Sequence, residues 1–199
     1  NAGVRELVAR SLNVIAADRQ AEMWPSAPPT LSTPAQLANT PQVPSVEVRD
    51  RISLRVNGHD HTGGSATDTL LDWVRDEAGL TGMKEGCAEG ECGACTMLLD
   101  GVAVMSCLVT AAQADGCHVT TVEGLTSPLP RAFVNDFAVQ CGFCIPGFLV
   151  AGERLLEEND DPDDDQIRLA LSGNLCRCTG YYPIVEAVKS AAVEIRERS

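Results

Sequence analysis

The chain has 199 residues and a formal charge of −13, set by 15 Lys and Arg against 28 Asp and Glu. That length suits one or two compact domains, and so acidic a surface repels phosphate backbones and anionic lipid heads, which argues against nucleic acid as a partner. Hydrophobic residues make up 44% but aromatics only 4%, so the core must come mainly from Ala, Val, Leu and Ile, and no apolar run is long enough to span a membrane.

Residues 1–22 read as a helix, because Val4, Leu7, Val8, Leu12 and Ile15 recur at three- and four-residue spacing along one stripe. Residues 24–46 carry Pro25, Pro28, Pro29, Pro34, Pro41 and Pro44 among Ser, Thr and Ala, the composition of an extended linker. A disordered tail is one reading of 1–46; a helix and tether docking on a partner subunit is the one expected here. The sequence begins at Asn1 without a secretory pattern, so a cytoplasmic location is expected, with export after removal of an earlier signal as the alternative.

A small β-rich domain is expected over residues 47–126. Ile52, Leu54 and Val56 alternate with polar residues as in a half-buried strand, and Asn57-Gly58 is a two-residue hairpin signal. Leu70, Leu71, Val74 and Ala78 predict a short helix stopped by Gly79. Met97 to Leu99 and Val102 to Met105 read as strands joined at Asp100-Gly101, and Val119 to Val122 as a last strand. The expected fold class is α+β, with a ferredoxin-like β-grasp roll in this part.

Residues 127–199 read as helical. Leu129, Ala132, Phe133 and Phe137 mark one helix, and Phe148, Leu149, Leu155 and Leu156 a second. Pro162 to Asp165 places acid at the start of a third, where the helix dipole favours it. Ile184, Val185, Val188, Ala192 and Ile195 mark a fourth, which makes a four-helix bundle. The run from Asp160 to Asp165 lacks the spacing of an EF-hand loop, so a solvated helix entry is expected there rather than a calcium site.

Nine cysteines allow either a disulfide framework or metal ligation. Disulfide scaffolds are usually short secreted chains with little core; this chain is long, aliphatic, and groups its cysteines tightly. The first group is Cys87, Cys92, Cys95 and Cys107, spaced C-x4-C-x2-C-x11-C. Its first three positions match the plant-type [2Fe–2S] pattern. Gly86, Gly90 and Gly93 free the backbone to wrap a small cluster and turn N–H groups toward its sulfides. Zinc sites more often use two separated knuckles and a His, so the cluster is preferred over zinc.

The second group is Cys141, Cys144, Cys176 and Cys178, spaced C-x2-C-x31-C-x-C, with both pairs at predicted helix ends. Free N–H groups and positive helix ends there stabilise thiolates and a net-negative cluster. A thioredoxin-like pair is the other reading of C-x2-C, but no βαβ pattern surrounds it. The ninth, Cys117, reads as a buried structural thiol.

Residues 50–197 resemble the iron–sulfur subunit, or matching N-terminal domains, of the xanthine dehydrogenase and aldehyde oxidase family of molybdenum hydroxylases. The resemblance rests on Gly86-Cys87 through Glu91-Cys92-Gly93-Ala94-Cys95-Thr96, on Gln140-Cys141-Gly142-Phe143-Cys144, and on Gly173-Asn174-Leu175-Cys176-Arg177-Cys178-Thr179-Gly180-Tyr181. Ile145 departs from the family's usual Thr, but no ligand position is touched.

The resemblance implies two [2Fe–2S] clusters on this chain, molybdopterin on a large partner subunit, and FAD on a medium one, in a higher-order complex. Electrons would pass from the molybdenum centre through the helical-side cluster, then the plant-type cluster, to flavin. Gln140 and Cys178 would sit against the pterin. No catalytic residue is expected on this chain. Purines, N-heteroaromatics, aldehydes and carbon monoxide are all family substrates, and Glu89-Gly90-Glu91 looks more like the xanthine dehydrogenase branch than the carbon monoxide branch. The competing function is a free-standing ferredoxin-like electron carrier.

Overall fold

The computed structural model describes residues 51–198, all within one compact unit. The expected N-terminal helix and Pro-rich tether over 1–46 lie outside the described residues. The elements are β1 (Ile52–Val56), β2 (His59–Gly63), α1 (Leu70–Asp76), β3 (Thr96–Leu99), β4 (Val102–Met105), α2 (Ala111–Ala114), β5 (His118–Thr120), a 3-10 turn (Val122–Gly124), α3 (Leu129–Asn135), α4 (Ile145–Glu158), α5 (Asp164–Ala170) and α6 (Tyr182–Arg198).

The five strands form one mixed sheet in the order β2-β1-β5-β3-β4. β1 pairs antiparallel with β2 and parallel with β5, while β3 runs antiparallel to both β5 and β4. In β1, Ile52, Leu54 and Val56 are buried and the residues between them exposed, the alternation of a strand with one wet face. The hairpin at Asn57-Gly58 has both residues at positive φ, 50° and 84°, as a primed two-residue turn requires. Asp100 and Gly101 repeat that geometry between β3 and β4.

α1 lays Leu70, Leu71, Trp73 and Val74 into the sheet's core. Thr69 caps its start by accepting from the Asp72 N–H at 3.1 Å. The Trp73 indole donates to the Gly63 carbonyl at 2.9 Å, so the largest buried side chain also satisfies its one donor. Ala78 lies past the end of this helix rather than within it. Gly79, at φ +69°, turns the chain, and the Leu80 N–H closes on Val74.

The last strand is shorter than Val119 to Val122 suggests. It stops at Thr120 because the Asn57 side chain takes over from the ladder, accepting from the Thr121 N–H at 3.0 Å and donating to its hydroxyl at 2.8 Å. Val122 then opens a 3-10 turn. The four-residue α2 carries no periodicity to read; Thr110 and Gln113 hold it through a capping box.

α3 through α6 surround a second core that includes Leu129, Phe133, Phe148, Ile167, Ile184 and Val188. Gly152 on α4 permits the close packing: a Cβ there would meet Leu129 at 2.9 Å. Phe137 is not a helix residue. α3 ends at Asn135, and Phe137 stands at φ 57°, 82% exposed. The acidic run behaves as a helix entry. Asp163 caps α5 by accepting from the Gln166 N–H at 2.8 Å, and Asp164 pairs with Lys189 on α6 at 2.7 Å. α4 belongs to both cores: it packs against β3 and β4, and its Val150 is buried among the sheet's residues.

Candidate metal centres

The loop of residues 86–95 between α1 and β3 supplies three thiols, and Cys107 follows β4. Ala88, Gly90 and Gly93 all take positive φ, which curls the loop and turns amides toward sulfur. The Glu89 and Glu91 N–H groups donate to Cys87 Sγ at 3.4 and 3.3 Å. With the Cys92 side chain nearby, they hold Cys87 well below an ordinary thiol, at about 7. Cys95 and Cys107 lie deeper. Burial, and the Cys95 sulfur beside it, push Cys107 up to about 11.

The other four thiols meet where the segment before α4 faces the one before α6. Cys144 is the residue from which α4 starts. Burial is the main reason its thiol is pushed up to about 12. For Cys176 burial acts the same way, but the Thr179 hydroxyl at 3.1 Å and the Thr179 N–H at 3.4 Å outweigh it and leave this thiol below its ordinary value. The Cys176 N–H donates to the Tyr181 hydroxyl at 3.0 Å. Tyr181 is held edge-on to Phe148, ring centroids 6.3 Å apart.

Each group has an inner and an outer pair. Cys95 with Cys107, and Cys144 with Cys176, are buried; Cys87 with Cys92 are half-buried, and Cys141 with Cys178 exposed. Within each pair one sulfur shifts the other's ionisation: Cys92 lowers Cys87, Cys95 raises Cys107, Cys176 raises Cys144 and Cys141 raises Cys178. Between the pairs, charge on Cys87 helps to raise Cys107 and charge on Cys141 helps to raise Cys144. All nine cysteines are free thiols. Among the described residues no three His, Cys, Asp or Glu side chains are set around a point that would hold one metal ion.

Two pairs set side by side differ from a single cage. A zinc ion draws four ligands to one centre. A [2Fe–2S] rhomb has two irons, each completed by two thiolates, so it takes donors as a pair of pairs. The donor set fits the two-iron cluster in both groups.

Cys117 stands apart. It is half-buried rather than buried, and burial, with the Asp100 carboxylate beside it, pushes its thiol up. None of the other eight thiols acts on it. Gln140 and Cys178 both lie exposed beside Cys141, in a neighbourhood that also exposes Phe137, Val139 and Phe143.

Two residues of this region escape a search for ligands. Asn174 is buried and donates to the Gly93 carbonyl at 2.9 Å and to the Thr96 hydroxyl at 3.4 Å. Gly147 lies so close that a Cβ would come 2.0 Å from the Gly93 oxygen. The signal that could have found them is position: each sits within three residues of a cysteine of the second group.

Comparison with known proteins finds iron–sulfur relatives. A [2Fe-2S] binding domain family matches residues 121–189. The small subunit of nicotine 6-hydroxylase from Paenarthrobacter nicotinovorans is 50% identical over 161 residues, covering 78% of this chain and 98% of that one. The xanthine dehydrogenase iron-sulfur-binding subunit of Escherichia coli O157:H7 is 42% identical over 144 residues, covering 69% and 91%. The crystal structure of quinoline 2-oxidoreductase from Pseudomonas putida 86 superposes at a TM-score of 0.70 with 43% identity, over 74% of this chain and 95% of that one.

Proposed function

Because the chain belongs to the iron–sulfur subunits of the xanthine dehydrogenase and aldehyde oxidase family of molybdenum hydroxylases, we propose that its two thiol groups each hold a [2Fe–2S] cluster and that it works as a fixed electron relay inside a larger enzyme. Cys87, Cys92, Cys95 and Cys107 hold one cluster, and Cys141, Cys144, Cys176 and Cys178 the other. A [2Fe–2S] cluster takes up and releases one electron at a time. The chain's own residues hold the two clusters at fixed separation, shield their inner irons from water, and lower the charge at sulfur through N–H and hydroxyl donors.

The observation that carries this reading is the direct contact between the groups: the Leu175 N–H, next to Cys176, donates to the Cys92 carbonyl at 2.9 Å. A diffusing carrier needs one cluster near its surface, whereas two clusters joined through the main chain make a wire. In this reading residues 47–126 are a ferredoxin-like β-grasp domain and residues 127–199 a four-helix cluster domain. The exposed edge at Gln140, Cys141 and Cys178 faces the molybdopterin-bearing large subunit, and the glycine-rich loop serves the FAD-bearing subunit. Among the described residues no helix is long and apolar enough to cross a membrane. The likeness to subunits of nicotine and quinoline enzymes favours an N-heteroaromatic substrate, bound on the large subunit.

Size exclusion of native material tests the relay. Iron, molybdenum and flavin eluting with this chain in one peak, well above its own mass, is the expected result. Iron-loaded chain eluting alone, without molybdenum or flavin, would make it a free carrier.

A further inference from the structure

We propose that Asn174 is a positioning residue that locks the two cluster loops together and thereby sets the coupling between the clusters. This rests on the reading that both thiol groups hold [2Fe–2S] clusters. Asn174 is 4% exposed and stands two residues before Cys176. Its amide spends both N–H bonds on the other loop, one on Gly93 and one on Thr96. Those partners flank the second and third cysteines of the first group: Gly93 follows Cys92, and Thr96 follows Cys95.

The Gly93 carbonyl is the hub. It accepts from the Asn174 amide at 2.9 Å, from the Thr96 hydroxyl at 2.7 Å and from the Thr96 N–H at 3.1 Å. Three donors on one carbonyl oxygen exceed its two lone pairs, so its direction is set by their balance. Packing leaves no slack around it. A Cβ on Gly93 would meet the Gly173 carbonyl at 2.4 Å and the Asn174 amide at 2.5 Å, and one on Gly147 would meet that same amide at 2.8 Å. Asn174 is itself tied to the end of α5, its N–H donating to the Leu171 carbonyl at 3.0 Å.

A buried Asn that only satisfies a carbonyl is the simpler alternative. Its location argues for more, because both partners of its side chain lie within one residue of a proposed ligand, and the Leu175–Cys92 hydrogen bond follows directly after it. Magnetic coupling between two reduced clusters falls with the cube of their separation, and electron tunnelling falls exponentially. A residue that fixes one loop against the other therefore fixes both quantities.

The test uses the assembled complex carrying Asn174→Ala or the near-isosteric Thr96→Val. Each is assayed for iron and acid-labile sulfide, reduced with dithionite, and examined by low-temperature electron paramagnetic resonance. Wild type should show two signals split by their mutual interaction. Asn174→Ala should keep its iron and lose or alter the splitting, with Thr96→Val changing it less and in the same sense. An iron-replete variant of either kind with wild-type splitting overturns the proposal. Loss of both clusters from both variants also overturns it, because the contact would then serve folding alone. Wild-type protein without two signals would sink the two-cluster reading itself.

Discussion

Leu175 donates its N–H to the carbonyl of Cys92 at 2.9 Å, so a single main-chain hydrogen bond joins the segments that carry the two thiol groups. The contact depends on Gly147 at the start of α4. A Cβ there would come 2.0 Å from the Gly93 oxygen, backbone against side chain with no flexible atom to move. Overpacking of this kind costs about 1–3 kcal/mol or more. Gly147→Ala should lower the melting temperature by several degrees and reduce iron retention, as read by thermal unfolding and iron assay on the same preparation. A variant with wild-type melting and iron would show that the loops can separate freely.

Cysteine substitutions should sort by group. Cys92→Ser should remove about half the iron, and Cys144→Ser the other half, given about two irons per site. Cys117→Ser should leave iron and both spectroscopic signals intact, since its thiol is engaged with Asp100 and with none of the other eight. Iron loss on changing Cys117 would mean that the ligand sets are drawn wrongly.

Tyr181→Phe keeps the edge-on ring against Phe148 but removes the acceptor of the Cys176 N–H. Leaving a part-buried donor unpaired costs about 1–3 kcal/mol. The expected outcome is a measurable drop in melting temperature with the iron retained. An unchanged melting curve would mean that water or sulfur replaces the hydroxyl without loss.

Glu153 on α4 is nearly buried, and burial pushes its carboxyl above the ordinary value of 4.5. Glu157 adds to the shift, while the Ser127 hydroxyl, which donates to Glu153, opposes it. A carboxyl raised in the folded state contributes stability below its unfolded value and loses it as pH rises through the folded value. Glu153 is therefore a cost at neutral pH. Glu153→Gln, which cannot ionise and still accepts from Ser127, should melt higher than wild type at pH 7, and the gap should close toward pH 4. Thermal unfolding across that range checks it; a gap independent of pH would assign the effect to packing.

The sequence was most legible where one residue type carries the geometry. Asn57-Gly58 and Asp100-Gly101 announced both hairpins, because only such residues accept positive φ there. Cysteine spacing also divided eight of the nine thiols into the two groups that lie close together in the fold. Periodicity overreached at Phe137 and Ala78, which fit the apolar stripe of a helix already ended by its turn. It overreached again at Val122, where a distant side chain, Asn57, ends the strand. What no local pattern could show is the seam between the loops. Asn174 and Gly147 are far from Gly93 in the chain, and their roles come from crowding its carbonyl.

The most direct test of the central claim is metal analysis of the purified native chain in its complex, counting iron, acid-labile sulfide and zinc per copy. Two [2Fe–2S] clusters predict about four irons and about four sulfides, with two distinct paramagnetic signals on reduction. One or two zinc ions per chain, with neither iron nor sulfide, would contradict the account.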